Sequence, residues 1–99
     1  MTYSIVFGSM VEADLSDSYD FYEEQLDGLG SEFLLAVEAA INSIQRNPVH
    51  FQKIYKNKRK ANLKRFPFGV FCIISKEYII ILAVIHLTRD PKIWKTRKV

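Results

Sequence analysis

Two side chains in this sequence carry groups suited to breaking a phosphodiester bond, His86 and Arg65. Cleavage of RNA needs a base for the 2′-hydroxyl, an acid for the leaving oxygen and a cation for the phosphate. An imidazole can act as acid or base near neutral pH, and a guanidinium can hold the phosphate. The alternative is structural: a histidine hydrogen-bonded near the sheet edge and a solvated arginine. We favour this structural interpretation, because one histidine and one arginine are weak evidence for a catalytic site.

Two basic segments contain the other candidate binding residues. The connector 49–62 contains Lys56, Lys58, Arg59 and Lys60, and the tail 88–99 combines Trp94 with Arg89, Arg97 and three lysines. Such clusters can bind phosphates or an acidic protein, and a tryptophan can stack on a base. The structural alternatives are a solvated loop and a tryptophan that anchors the tail to the sheet. We expect the Trp94 side chain to pack on the sheet and anchor the tail.

The charges are divided between the two halves of the chain. Residues 1–45 contain nine acidic residues and neither Lys nor Arg, which gives a formal charge of −9. Residues 46–99 contain all fourteen Lys and Arg with only Glu77 and Asp90, which gives +12. Two solvated faces would explain this division. The asymmetry is nevertheless large enough to indicate an anionic partner for the C-terminal half.

The composition argues against several classes of protein. Cys72 is the only cysteine and the histidines are His50 and His86, so an intrachain disulfide and a Cys/His zinc site both lack residues. We expect no metal and no cofactor. The N-terminus has no basic segment or cleavage site typical of a signal peptide, and the apolar run 78–85 is too short to span a membrane. These features predict a cytoplasmic protein.

The first half of the chain has the pattern of a strand followed by two helices. Residues 3–7 alternate as a strand does, and apolar residues then recur at helical spacing to about Leu26 and again from Ser31 to about Arg46. Ser9 is the expected N-cap of the first helix, with Glu12 completing a capping box, and Ser31 is the expected cap of the second. The link 27–30 is short, so the helices should form an antiparallel hairpin.

The second half has the pattern of three strands after the connector, whose middle, 56–60, should be exposed. The strands are predicted at Leu63–Phe66, Gly69–Ser75 and 78–87. In the last strand the even positions from Tyr78 to His86 should share one face and the odd positions the other. Both faces are apolar, which predicts a central strand covered on both sides.

The sequence thus predicts a single α+β domain over residues 1–99 with the element order β-α-α-β-β-β. In it, an antiparallel helical hairpin packs on a small, mainly antiparallel sheet. The order of the strands and the partner of the first strand are not determined by this pattern.

Several short motifs, in order along nearly the whole chain, resemble the RelE/ParE superfamily of toxins. The motifs are Asp14-Leu15 with Tyr22, Gly28-Leu29-Gly30 with Phe33, Asn47-Pro48, Leu63-Lys64-Arg65-Phe66-Pro67-Phe68, and Ala83-Val84-Ile85-His86 with Arg89-Asp90-Pro91 and Trp94. The sequence is more similar to the ParE side, the plasmid stabilisation proteins, than to RelE. Arg59 matches an arginine position of the family.

The resemblance implies a toxin of a type II toxin–antitoxin system that forms a hetero-oligomer with a small cognate antitoxin. RelE-like members cut mRNA on the ribosome, studied ParE-like members poison DNA gyrase, and a fold-retaining binding module without toxicity is a third alternative. RelE-like nucleases often place a tyrosine near the last strand and chain end, whereas here His86 precedes Leu87 and no tyrosine follows Tyr78. We therefore expect gyrase as the target. Arg59, Arg65, Arg89, Trp94 and Arg97 are the expected target-binding residues, and Arg65 and His86 would be catalytic only in a nuclease.

Overall fold

A computed structural model describes residues 2–98 as two paired helices packed on a five-stranded mixed sheet. The elements are β1 (Ser4–Phe7), α1 (Val11–Gln25), α2 (Leu29–Arg46), a short 3-10 turn (Pro48–His50), β2 (Lys53–Tyr55), β3 (Lys58–Asn62), β4 (Phe68–Ser75), β5 (Tyr78–His86) and α3 (Lys92–Lys95). The strand order is β1-β5-β4-β3-β2, with β1 parallel to β5 and the other pairs antiparallel. The predicted α+β class and mainly antiparallel sheet are confirmed.

The helical hairpin is confirmed, and its apolar stripe packs on the sheet as the helical spacing predicts. Phe33, Val37 and Ile44 of α2 are buried in the same cluster as Val11 of α1 and the inner face of β4 and β5. The link is only three residues long and contains Gly28 at φ 90°, a left-handed conformation that glycine adopts without steric cost. None of the helices within residues 2–98 is long and apolar enough to cross a membrane.

The predicted helix caps are wrong. Helix α1 begins after Met10 without a side-chain cap among the described residues, so Ser9 and Glu12 form no capping box. Ser31 lies inside α2, which begins two residues earlier. The N-terminus of α2 is instead capped by Glu23 of α1, whose Oε2 and Oε1 accept the backbone N–H groups of Gly28 and Gly30 at 2.9 and 3.0 Å. A carboxylate at this end also balances the positive pole of the helix dipole.

The basic connector is a β-hairpin, and the predicted strand at 63–66 is a loop. Strands β2 and β3 meet at a turn in which Lys56 has φ 52°. Lys58 is only 8% exposed, which contradicts the expected exposure of the segment 56–60. Arg65 has φ 72° in a loop closed by a hydrogen bond from Leu63 N to Phe68 O, and a strand cannot include that conformation.

Strand β5 contains a bulge that breaks the expected even–odd alternation. Phe71 pairs with Ala83 but the next residue, Cys72, pairs with Ile81, so Leu82 is an extra residue on β5. Residues 79 and 81 face the helices before the bulge, and residues 84 and 86 lie on that face after it. The bulge therefore brings His86 to the same side as α1.

The central strand is covered on both faces, as the sequence predicts. On the side opposite the helices, the ring of Trp94 stacks on Phe71 with centroids 4.7 Å apart and planes 15° apart. Ala83, Ile85, Tyr55 and Ile93 complete this smaller cluster. Packing of Trp94 on the sheet is thus confirmed, and the stack holds the tail against β4.

Candidate functional site

His86 ends β5, and its ring is held by the turn that follows. The Nδ1 atom accepts the backbone N–H of Thr88 at 3.1 Å and lies 2.7 Å from the Thr88 hydroxyl oxygen. The ring also packs edge-on against Phe68, its partner on β4, with centroids 5.3 Å apart. Because Nδ1 is an acceptor of a backbone N–H, the neutral ring carries its proton on Nε2.

A cavity of about 250 Å³ lies beside His86, between α1 and the end of β5. Four of its lining residues are charged, namely Asp14 and Asp17 from α1 and Arg89 and Arg97 from the tail. Their formal charges cancel. A phosphate entering this cavity would meet two carboxylates as well as two guanidinium groups, so the cavity does not present the excess positive charge that a phosphate site uses.

Asp14 and Arg97 form a buried, two-pronged ion pair across the sheet edge. Arg97 Nη1 donates to Asp14 Oδ2 at 2.5 Å and Nη2 donates to Oδ1 at 3.0 Å, with side chains 14% and 9% exposed. Arg97 Nη1 also donates to Leu82 O, and Asp14 Oδ2 accepts Val84 N–H. Arg97 is therefore held within the fold, and its role as a target-binding residue stays a prediction.

Arg65 lies on the surface and is paired with the helical hairpin. Its Nη2 is 2.8 Å from Glu32 Oε1 on α2, and the two side chains are 65% and 46% exposed. The guanidinium carbon is 5.5 Å from the centroid of the Phe66 ring. Arg65 thus has its own carboxylate partner and does not line the cavity at His86.

Arg59 of β3 secures the chain that precedes β2. Its Nη1 donates to the carbonyl oxygen of Phe51 at 2.7 Å. Arg59 pairs in register with Cys72, which is fully buried, as expected of a small apolar residue. Burial raises the pKa of the Cys72 thiol to about 11, and the positive charge of Arg59 opposes that rise. Cys72 is therefore a packed thiol without nucleophilic character at neutral pH.

The structure brings together a different set of residues from the one that the sequence predicts. Of the predicted residues, His86, Arg89 and Arg97 share one cavity, whereas Arg65, Arg59 and Trp94 each have separate partners. Asp14 was not predicted as a site residue, although it belongs to the first-helix motif. No group of three or more His, Cys, Asp or Glu side chains within residues 2–98 is arranged to hold a metal ion.

A helical hairpin packed on one face of this mixed sheet places the chain in the class of small α+β proteins. The family described as "ParE toxin of type II toxin-antitoxin system, parDE" matches residues 5–91. The structure is similar to a solved chain from P. aeruginosa titled "Chromosomal ParDE TA system", with 20% identity, a TM-score of 0.72, and coverage of 85% of this chain and 95% of that one. A comparison with curated proteins gave no match. The chain belongs to the ParE toxin family of type II toxin–antitoxin systems.

Proposed function

We propose that this ParE-family toxin acts by inhibiting DNA gyrase in the cytoplasm and is neutralised by a small antitoxin with which it forms a hetero-oligomer. The gyrase target is what the resemblance to studied ParE-like toxins implies. The observation that supports it over RNA cleavage is the charge balance of the cavity beside His86, which is lined by Asp14 and Asp17 as well as by Arg89 and Arg97.

A ribonuclease would need at least one unpaired cation beside its general acid or base. Arg97 is already neutralised by Asp14, and Arg65 is paired with Glu32. Arg89 lines the same small cavity as Asp17. A scissile phosphate at His86 would thus approach a carboxylate, which opposes binding of an anion. The geometry favours a protein target over a phosphodiester.

Of the arginines in the predicted target-binding set, Arg65 and Arg89 are exposed, and we assign the target contacts to these two. Guanidinium groups at a protein interface form hydrogen bonds to carboxylates and backbone carbonyls, and they are often energetically important. Arg59, Trp94 and Arg97 have partners inside the chain, so we assign them the role of holding the connector and the tail in place.

Support for an antitoxin partner comes from apolar side chains left exposed beside an edge strand. Val6 and Phe7 of β1 and Met10 after it are exposed large hydrophobic residues. Strand β1 is the last strand on its side of the sheet, so its outer backbone groups are open to another segment. A partner that covers this edge would remove apolar surface from water, which stabilises a complex.

The gyrase proposal is tested with purified toxin in a DNA supercoiling assay. The toxin should inhibit supercoiling or trap cleaved DNA, and the same preparation with its antitoxin added should not. In a parallel primer-extension assay, ribosome-bound mRNA should stay intact.

A ribosome-dependent ribonuclease remains the second candidate, because His86 and Arg89 line the same cavity. Codon-dependent mRNA cuts that disappear in the His86→Ala variant, with gyrase unaffected, would replace the gyrase proposal by this one.

A further inference from the structure

A second and larger groove, of about 650 Å³, lies on the sheet face opposite the helical hairpin. Its walls are the β2–β3 turn and the chain end after α3, and its floor includes Ile73 and Leu82. We call it the lysine groove, because Lys56, Lys58, Lys95 and Lys98 line it. The predicted target-binding set includes none of these lysines.

Three of the four ammonium groups surround a single aromatic ring. The Nζ atoms of Lys95, Lys56 and Lys58 are 4.9, 5.3 and 5.7 Å from the centroid of the Tyr55 ring. The face of an aromatic ring attracts cations through its quadrupole, which helps to hold the ammonium groups here. The ring carries no net charge, however, and so leaves their mutual repulsion without a counter-ion.

Lys58 is the buried charge at the bottom of this cluster. It is 8% exposed, and its Nζ donates to the carbonyl oxygen of Lys95. Desolvation lowers the pKa of Lys58, and the nearby charges of Lys56 and Lys98 lower it further, although Tyr55 opposes them. An anion in the groove would relieve this accumulation of positive charge.

Asp and Glu side chains of residues 2–98 do not balance the cluster. The ten lining residues within the described chain include five Lys or Arg and neither Asp nor Glu. Among residues 2–98, the fifth cation, Arg97, is the only one of the five with a carboxylate partner, Asp14. Four positive charges are thus left in one groove, which fits a ligand that carries several negative charges close together.

The floor of the groove decides between a nucleic acid and an acidic peptide. Tight peptide binding depends on apolar or aromatic anchors that enter open pockets. Here the floor residues Ile73 and Leu82 are 8% and 2% exposed, so neither forms an open apolar pocket for such an anchor. A phosphate backbone needs only suitably placed cations, and lysine provides them without strict geometry.

We propose that the lysine groove binds the phosphate backbone of duplex DNA. The choice of DNA rests on the proposed function, because gyrase acts on DNA and a toxin bound there would lie beside the duplex. The binding itself requires no gyrase, so it can be measured separately from inhibition of the enzyme.

The test is fluorescence anisotropy of a labelled duplex of about 20 base pairs titrated with purified toxin at about 50 and 200 mM salt. The groove variant is Lys56→Asn with Lys95→Gln; asparagine tolerates the positive φ of residue 56. The matched control, Arg46→Gln with Lys64→Gln, removes two exposed positive charges outside the groove. Circular dichroism checks that all three proteins are folded.

We expect the groove variant to bind the duplex at least about tenfold more weakly than the unmodified toxin. The slope of the logarithm of its binding constant against the logarithm of the salt concentration should be shallower by about two, whereas the control should change far less. Three results would overturn the proposal: no binding by the unmodified toxin at low salt, equal losses in both variants, or tighter binding of a single-stranded RNA or a polyglutamate peptide than of the duplex. Supercoiling is measured on the same proteins. Failure of gyrase inhibition with DNA binding intact would count against the proposed function alone.

Discussion

Asp14 of α1 and Arg97 of the tail form hydrogen bonds to a stretch of β5 that is not paired with β1. Strand β1 ends its pairing at Phe7, opposite Ile81, and the polar backbone groups beyond that point would otherwise lack partners. The carboxylate accepts Val84 N–H and the guanidinium donates to Leu82 O, so two side chains continue the hydrogen bonding of the sheet. Buried backbone groups need such partners, which gives this ion pair a structural role.

Loss of the Asp14 carboxylate should therefore cost far more stability than loss of an exposed one. We expect Asp14→Ala to lower the free energy of unfolding by about 3 kcal/mol, because the buried Arg97 guanidinium loses its counter-ion and Val84 N–H loses its acceptor. Glu32→Ala, which breaks the exposed pair with Arg65, should cost at most about 1 kcal/mol.

Urea unfolding followed by circular dichroism measures both values. Replacing both partners, as in Asp14→Leu with Arg97→Met, should recover part of the loss. Equal, small losses in Asp14→Ala and Glu32→Ala would mean that the buried pair contributes no more than a surface pair.

The candidate site could be predicted only in part, because its contacts are non-local. The predicted last strand, 78–87, extends one residue beyond the observed end at His86. The pairing of Arg97 with Asp14 joins residues 83 positions apart, and a sequence gives no distance between them. Arg97 consequently resembles a solvated tail residue until the fold brings α1 beside it.

Helices were easier to predict than strands in this chain, for a physical reason. The stripe containing Phe33, Val37 and Ile44 repeats at helical spacing over 18 residues and can be satisfied only by a helix. Strands β2 and β3 are short and rich in lysine, which has low strand propensity, so they resemble a connector. They become strands because β4 offers an edge for pairing. The bulge at Leu82 likewise depends on packing on both sides of β5.

The two glycines of the helical hairpin are required for different reasons. A Cβ at Gly30 would lie 2.8 Å from the ring of Tyr19 and 2.9 Å from its carbonyl oxygen, so the helices would have to move apart. A Cβ at Gly28 meets nothing within 4 Å in the described part of the chain, but its φ of +90° strains most side chains.

We expect Gly30→Ala to lower the free energy of unfolding by about 2 kcal/mol through overpacking. Gly28→Asn should cost under about 1 kcal/mol, because asparagine tolerates the left-handed region. Urea titrations of the two variants give the comparison. If the Gly30→Ala protein were as stable as Gly28→Asn, the two helices would be able to move apart at Tyr19 at little cost in free energy.

At the scale of the whole molecule, the division of charge along the chain becomes a division between layers. The acidic residues of the N-terminal half lie on the helical hairpin. Most of the basic residues lie on the hairpin β2–β3, the loop before β4 and the tail, and the exceptions are Arg46 at the end of α2 and Lys76 in the β4–β5 turn. The layers are connected by ion pairs at only a few points, such as Arg65 with Glu32 and Arg97 with Asp14. Most of the positive charge is therefore left on the sheet side, available to an anionic or acidic partner.

This arrangement predicts which charges toxicity requires. Expression of the chain in bacteria should arrest growth, and co-expression of an antitoxin encoded beside it should restore growth. The double variant Arg65→Glu with Arg89→Glu should lose the arrest while keeping its circular dichroism spectrum, because both side chains are exposed and their replacement leaves the core intact. Reversal of Arg46 and Lys64 provides a control with the same change in net charge. Full growth arrest by the Arg65/Arg89 variant at equal expression would mean that these two arginines form only a solvated surface.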